Sequence, residues 1–140
     1  MTLSQCKELL FREGYTLVAA DGDAVYTDRR RGVEPLLALY DSGVRLAAGV
    51  AADRVVGRAA AYLYVLLGVK QLYAAVLSDA AAEVLLTNGI SFVCDTRVPA
   101  IKNRQGDGFC PMESATRHLS PADSTAALAA IRATKARLTR

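Results

Sequence analysis

Gln71-Leu-Tyr-Ala-Ala-Val-Leu77, Ser78-Asp79-Ala-Ala-Ala-Glu-Val-Leu-Leu86, Asn88-Gly89 and Ile90-Ser-Phe-Val-Cys94 follow one another without a gap longer than a residue. The first piece is a mostly apolar run of strand length. Ser78 or Asp79 then stands where a helix N-cap belongs, and Asn88-Gly89 stops that helix. Ile90 to Cys94 is a second apolar run of strand length. A strand, a helix and a strand in succession point to an α/β fold whose sheet is covered by helices.

On the N-terminal side, Ser4 to Arg12 is predicted as a helix, with Leu3, Cys6, Leu9 and Leu10 on one face and Gly14 ending it. Tyr15-Thr-Leu-Val-Ala and Ala24-Val-Tyr-Thr-Asp28 flank Asp21-Gly22-Asp23, a strong hairpin signal. Arg29 to Gly32 reads as a charged, exposed connection, and Val33 to Tyr40 as a short helix with Pro35 in its first turn. Gly43 and Gly49 bracket a brief apolar segment, Val44 to Ala48. Asp53 is read as the cap of a long helix reaching Leu67 and ended by Gly68. It is apolar nearly all round, and so is expected between layers.

On the C-terminal side, Val98 to Ile101 is extended and broken by Pro99, and Lys102 to Gly108 forms a polar loop. Cys110-Pro111 opens a short helix, and Ser120-Pro121 opens the last one, ending near Leu138. The order predicts one domain over residues 1–140. Its expected architecture is a mixed sheet of four or five strands, led by a hairpin, with helices on both faces.

Composition narrows the function classes. Hydrophobic residues make up 52% of the 140-residue chain, which excludes a disordered chain and permits an unstapled core. A net charge of +3 is too small for a nucleic-acid footprint, so none is expected. The longest apolar run, Ala59 to Val69, is too short to span a bilayer. Lys7, Glu8, Arg12 and Glu13 interrupt the first apolar stretch, so no signal peptide is expected. Cys6, Cys94 and Cys110 are odd in number and form no CxxC pair, which predicts free thiols in a reducing cytoplasm.

Two segments could carry chemistry. In Asn103-Arg104-Gln-Gly-Asp107-Gly108-Phe-Cys110-Pro111-Met-Glu113, the proline places Cys110 at a helix N-cap. Free backbone N–H groups and the helix dipole favour a thiolate there. Glu113 is spaced to reach back to the cap, and Asn103 and Arg104 could hold an anion or a carbonyl. The plain reading stays open, with Cys110 a small apolar plug and Glu113 an ordinary first-turn acid. In the second segment, Arg58 falls on a helix suited to burial, where a guanidinium needs partners. Gly57 within that helix costs roughly 1 kcal/mol against alanine. Asp53 and Arg58 are either a site pair or a cap with a structural ion pair. His118 is the single histidine and lies too far along from Cys110 to pair with it on one helix, so a surface position is expected.

Ala52-Asp53-Arg-Val-Val-Gly57-Arg58-Ala-Ala, together with Asn103-Arg104 and Cys110-Pro111-Met-Glu113, resembles the domain-of-unknown-function 1893 family, placed in the cytidine-deaminase-like superfamily. The resemblance covers nearly the whole chain and implies a three-layer α/β/α sandwich. Deaminases of that superfamily hold zinc with a His/Cys-x-Glu motif on the helix after the hairpin and a later Pro-Cys-x-x-Cys. The resemblance places Asp53 where a zinc ligand stands. Ser78-Asp-Ala-Ala-Ala, however, offers no thiolate for the second motif. A zinc site needs three protein ligands, and only Asp53 and Cys110 are candidates, so neither a metal nor another cofactor is expected.

The resulting expectation is a non-zinc enzyme acting on a nucleoside-like or other small C–N-containing molecule. Cys110, Asp53 and Glu113 would be catalytic, while Arg58, Asn103 and Arg104 would bind the ligand around one shared pocket. The alternative is a non-catalytic small-molecule or nucleotide-binding module on the same scaffold. A homodimer is compatible with either.

Overall fold

Asp21-Gly22-Asp23 turns the chain as its composition demands. Strand β1 (Leu17–Asp21) pairs antiparallel with β2 (Ala24–Asp28), with Leu17 opposite Asp28 and Asp21 opposite Ala24. Gly22, at φ 58°, supplies the left-handed first central residue of a primed hairpin turn. The computed structural model describes residues 1–103, 105–106 and 108–139.

Beyond the hairpin, β3 (Val50–Val56), β4 (Gln71–Ser78) and β5 (Ser91–Val98) complete an open five-stranded sheet in the order β2-β1-β3-β4-β5. β3 runs antiparallel to β1, while β3, β4 and β5 are mutually parallel. Among the described residues there are six helices: α1 (Leu3–Arg12), α2 (Glu34–Asp41), α3 (Arg58–Leu67), α4 (Asp79–Thr87), α5 (Pro111–Thr116) and α6 (Ser124–Leu138). None is long and apolar enough to cross a membrane.

Two apolar clusters define the layers. On one face, Cys6 and Leu10 of α1 pack on Val18, Ala20, Ala52 and Tyr73 of the sheet. On the other, the larger cluster joins α2, α3, α4 and α6 to the opposite side chains of the same strands, among them Leu17, Ala51, Leu72 and Ala74. Alternate residues of β1 and β3 thus enter opposite cores, as the two-residue period of a strand requires. α3 is buried almost all round, with Tyr62, Leu63, Tyr64 and Leu67 fully covered. Each such side chain contributes roughly 1.5–3 kcal/mol of burial free energy.

The structure corrects the expected helix from Asp53 to Leu67. Val50–Val56 is a strand, and the helix begins at Arg58 behind Gly57. Asp53 is therefore not a cap. It sits mid-strand, opposite Leu17 of β1 and Ala74 of β4. The helical pattern was ambiguous because β3 is a central strand covered on both faces, and such strands lose the polar–apolar alternation that identifies an edge strand. Gly57, costly inside a helix, lies at the N-cap in extended backbone, where it carries no such cost. Elsewhere the differences are of boundary. β5 continues past Cys94 to Val98, and α6 starts at Ser124 behind an Asp123 cap rather than at Ser120-Pro121. Ser78 caps α4 by accepting from the Ala81 N–H at 3.0 Å.

The carboxyl ends of β3 and β4 lead directly into α3 and α4, and β5 leads into the 99–110 connection. The parallel half of the sheet thereby gathers two helix starts and one loop along a single edge. Ligands of open α/β sheets collect at such an edge, in the crevice beyond the strand ends.

Candidate functional site

Glycine at position 57 leaves α3 without a side-chain cap of its own. Glu113 of α5 takes that role from 55 residues away, its Oε2 accepting from the Arg58 backbone N–H at 2.8 Å. Glycine is what allows the approach, since a Cβ there would stand 3.0 Å from Ile101 Cγ1 and 3.1 Å from Glu113 Oε2. Glu113 is buried and holds the Arg58 N–H, so Gly57→Ala is expected to lower stability by about 1–2 kcal/mol in urea denaturation. An unchanged midpoint would show that Ile101 and Glu113 yield freely. Glu113 Oε1 is buried and, among the described residues, has no hydrogen-bond partner.

The Arg58 side chain, 5% exposed, is held by carbonyls. Its Nε donates to Thr116 O at 3.0 Å and one terminal nitrogen to Leu119 O at 2.6 Å; the other reaches Glu83 at 3.4 Å. Arg58 thus ties the end of α5 and the chain after it to α3 and α4. Cys110 forms the N-cap of α5 without a side-chain capping bond, and its N–H donates to Ile101 O. Asn103 lies across the same loop, its N–H donating to Gly108 O at 2.8 Å. Glu113 and Ile101 are therefore brought to the start of α3, and Cys110 is tied to that point through Ile101. Arg104 lies outside the described residues. His118 is exposed beyond the end of α5.

Asp53 stands apart from that group. Its side chain enters the helix-covered face, where Oδ2 accepts from the Tyr64 hydroxyl at 2.6 Å and Oδ1 from the Val55 N–H at 3.2 Å. Tyr64 lies six residues along α3 from Arg58, roughly 9 Å of helical rise. No hydrogen bond among the described residues joins Asp53 to Arg58, Cys110 or Glu113. Burial pushes the Asp53 carboxyl up to about 6, although Tyr64 and nearby backbone N–H groups pull the other way. Burial, followed by the neighbouring Asp53 charge, holds the Tyr64 hydroxyl well above its ordinary value.

A cleft of about 330 Å³ opens over this carboxyl, bounded by Thr16 and Leu17 of the hairpin, Arg30 to Gly32, Pro35 and Leu36 of α2, and Asp53 to Val55 of β3. It lies toward the carboxyl end of β3, where the sheet changes from antiparallel to parallel pairing. Sequence reasoning named Asp53 as a candidate but did not name Tyr64, Arg30, Arg31 or Arg54. A tyrosine on an apolar helix was the available signal, because a buried hydroxyl demands a partner. Arg29 to Gly32 read only as an exposed connection, since its nearness to Asp53 is set by tertiary packing. Zinc coordination does not fit this geometry. Asp53 is committed to Tyr64, and among the described residues no three His, Cys, Asp or Glu side chains converge to hold a metal ion.

The family model described as "Domain of unknown function (DUF1893)" matches residues 5–133. The chain belongs to this family. The fold of this DUF1893 protein is similar to the crystal structure of a DUF1893 family protein from Thermotoga maritima. The TM-score is 0.80 at 23% identity, covering 87% of this chain and 84% of that one. At that identity the likeness is one of fold. No curated protein matches the sequence.

Proposed function

We propose that this DUF1893 protein is a small-molecule-binding module on a cytidine-deaminase-like scaffold, with the Asp53 cleft as its site. The observation that carries the reading is a carboxyl of pKa about 6 exposed to a cavity of about 330 Å³, a size suited to a metabolite. The hairpin-led mixed sheet, and the position of the cleft beside the carboxyl end of β3, support the same placement. The group around Arg58 and Glu113 is better suited to holding α3, α4 and α5 together, because its hydrogen bonds close on backbone. Three free cysteines support a cytoplasmic setting.

One observation favours an enzyme as the second reading. A carboxyl titrating about 6 exchanges its proton readily near neutrality, so Asp53 could serve as a general acid or base. Cys110 and Glu113 would then contribute through the framework at the start of α3.

The test is melting of the purified chain against a metabolite library, repeated with Val55→Trp. Val55 lines the cleft and is 47% exposed, so tryptophan there fills the cavity and spares the core. A true ligand at a hundredfold excess over Kd adds about 2.7 kcal/mol of stability. That gain is expected in the wild type and absent from Val55→Trp. Ligands that stabilise both chains equally would place the site elsewhere.

A further inference from the structure

Arg29-Arg30-Arg31 puts three guanidinium groups in consecutive positions beside the cleft, and the structure disposes of them differently. Arg29 stacks 4.3 Å over the Tyr15 ring and donates to Glu13 O. Arg30 folds back onto Asp28, its terminal nitrogen 2.7 Å from Oδ2, and this pairing compensates its charge. Arg31 lines the cleft, and among the described residues its guanidinium has neither an ion pair nor a hydrogen-bond partner. Arg54, which also lines the cleft, donates to the carbonyls of Tyr15 and Leu10 and, among the described residues, pairs with no carboxylate. Among the described residues, the one acidic side chain lining the cavity is Asp53, whose pKa of about 6 leaves it partly neutral just below pH 7. The described lining is therefore net positive, and Arg31 is its unengaged cation.

We infer that the cleft takes a small ligand with a carboxylate or phosphate group held by Arg31, and with an apolar body against Val55, Pro35 and Leu36. This rests on the cleft being the binding site, and it adds the chemical class of what binds there. A guanidinium presents paired N–H donors that match either anion, so the shared feature is a planar or tetrahedral oxyanion. Arg54, its guanidinium held on the Tyr15 and Leu10 carbonyls, adds longer-range attraction that salt will screen.

Three probes of matched body separate the possibilities: benzoate, its neutral isostere benzamide, and phenyl phosphate. Each is titrated into the full chain and into Arg31→Gln while the amide resonances of β3 and the 29–33 segment are followed by NMR. Arg31 is exposed, so the substitution leaves the fold intact. Benzoate or phenyl phosphate is expected to bind about tenfold or more tighter than benzamide. That advantage should vanish in Arg31→Gln and shrink as sodium chloride is raised. The tighter of the two anions then distinguishes a carboxylate ligand from a phosphate ligand. Equal binding of benzamide and benzoate, indifferent to Arg31→Gln, would overturn the anion inference and leave the cleft as a site for neutral molecules. Silence from all three probes also overturns it, and the cleft reading falls as well only if the library screen with Val55→Trp is negative.

Discussion

Arg58→Ala is expected to cost about 3–5 kcal/mol, enough to unfold much of the population of a domain of ordinary stability. Arg58 is 4% exposed, and the shortest bonds of its guanidinium run to the carbonyls of Thr116 and Leu119. Alanine leaves both acceptors without their donor inside a dry contact and opens a cavity between α3 and α5. The pair with Glu83 adds little, because that carboxylate is 61% exposed and well solvated. Arg58→Lys separates the two contributions. A single ammonium keeps the charge but cannot serve two carbonyls and Glu83 with a planar fork, so most of the loss should remain. Urea denaturation of the three chains reads the effect directly. A lysine variant as stable as the wild type would show that charge, rather than the fork, holds the contact.

How far sequence reached depended on whether a residue's partner was local. The hairpin was legible because Asp21-Gly22-Asp23 specifies its own turn. The strand–helix–strand of Gln71 to Cys94 was legible because Ser78 and Asn88-Gly89 mark both helix ends. Gly49 to Leu67 failed for the opposite reason. Nothing within Val50–Val56 distinguishes a central strand from a first helical turn; the pairing of Asp53 with Leu17 and Ala74 decides it, and those partners are 36 and 21 residues away. Arg58 announced that it needed partners without naming Thr116 or Leu119. Asp53 was singled out for the wrong local reason. Its interest lies in a carboxyl turned into an apolar layer against Tyr64, not in a helix start. The single pocket expected from sequence becomes, in three dimensions, a backbone-closing group at the head of α3 and a separate cleft at the side of β3.

That placement of Asp53 has a measurable consequence for the dependence of stability on pH. Its folded pKa of about 6 lies above the ordinary carboxyl value of 3.8, so folding favours the protonated form. Its contribution is fully present below about 3.8 and is lost as pH rises towards 6 and through it. The shift of roughly two units corresponds to about 3 kcal/mol at neutral pH, of which solvent reaching the cleft will remove a part. Asp28 and Asp41 behave in the opposite sense. Arg30 and Arg132 lower their pKa values, so those pairs weaken as pH falls below the ordinary carboxylate range. A wild-type profile therefore mixes both trends, and the difference between wild type and Asp53→Asn isolates the first. Asparagine still accepts from the Tyr64 hydroxyl, but its amide donors meet the Val55 N–H, which offsets about 1 kcal/mol. The variant is expected to be more stable than wild type by about 1–2 kcal/mol at pH 8, and to be level with it or slightly weaker at pH 4. Urea midpoints at the two pH values measure this. A wild type and variant whose difference does not change between pH 4 and pH 8 would mean that Asp53 is solvated like any surface carboxylate, and the site would lose its central residue.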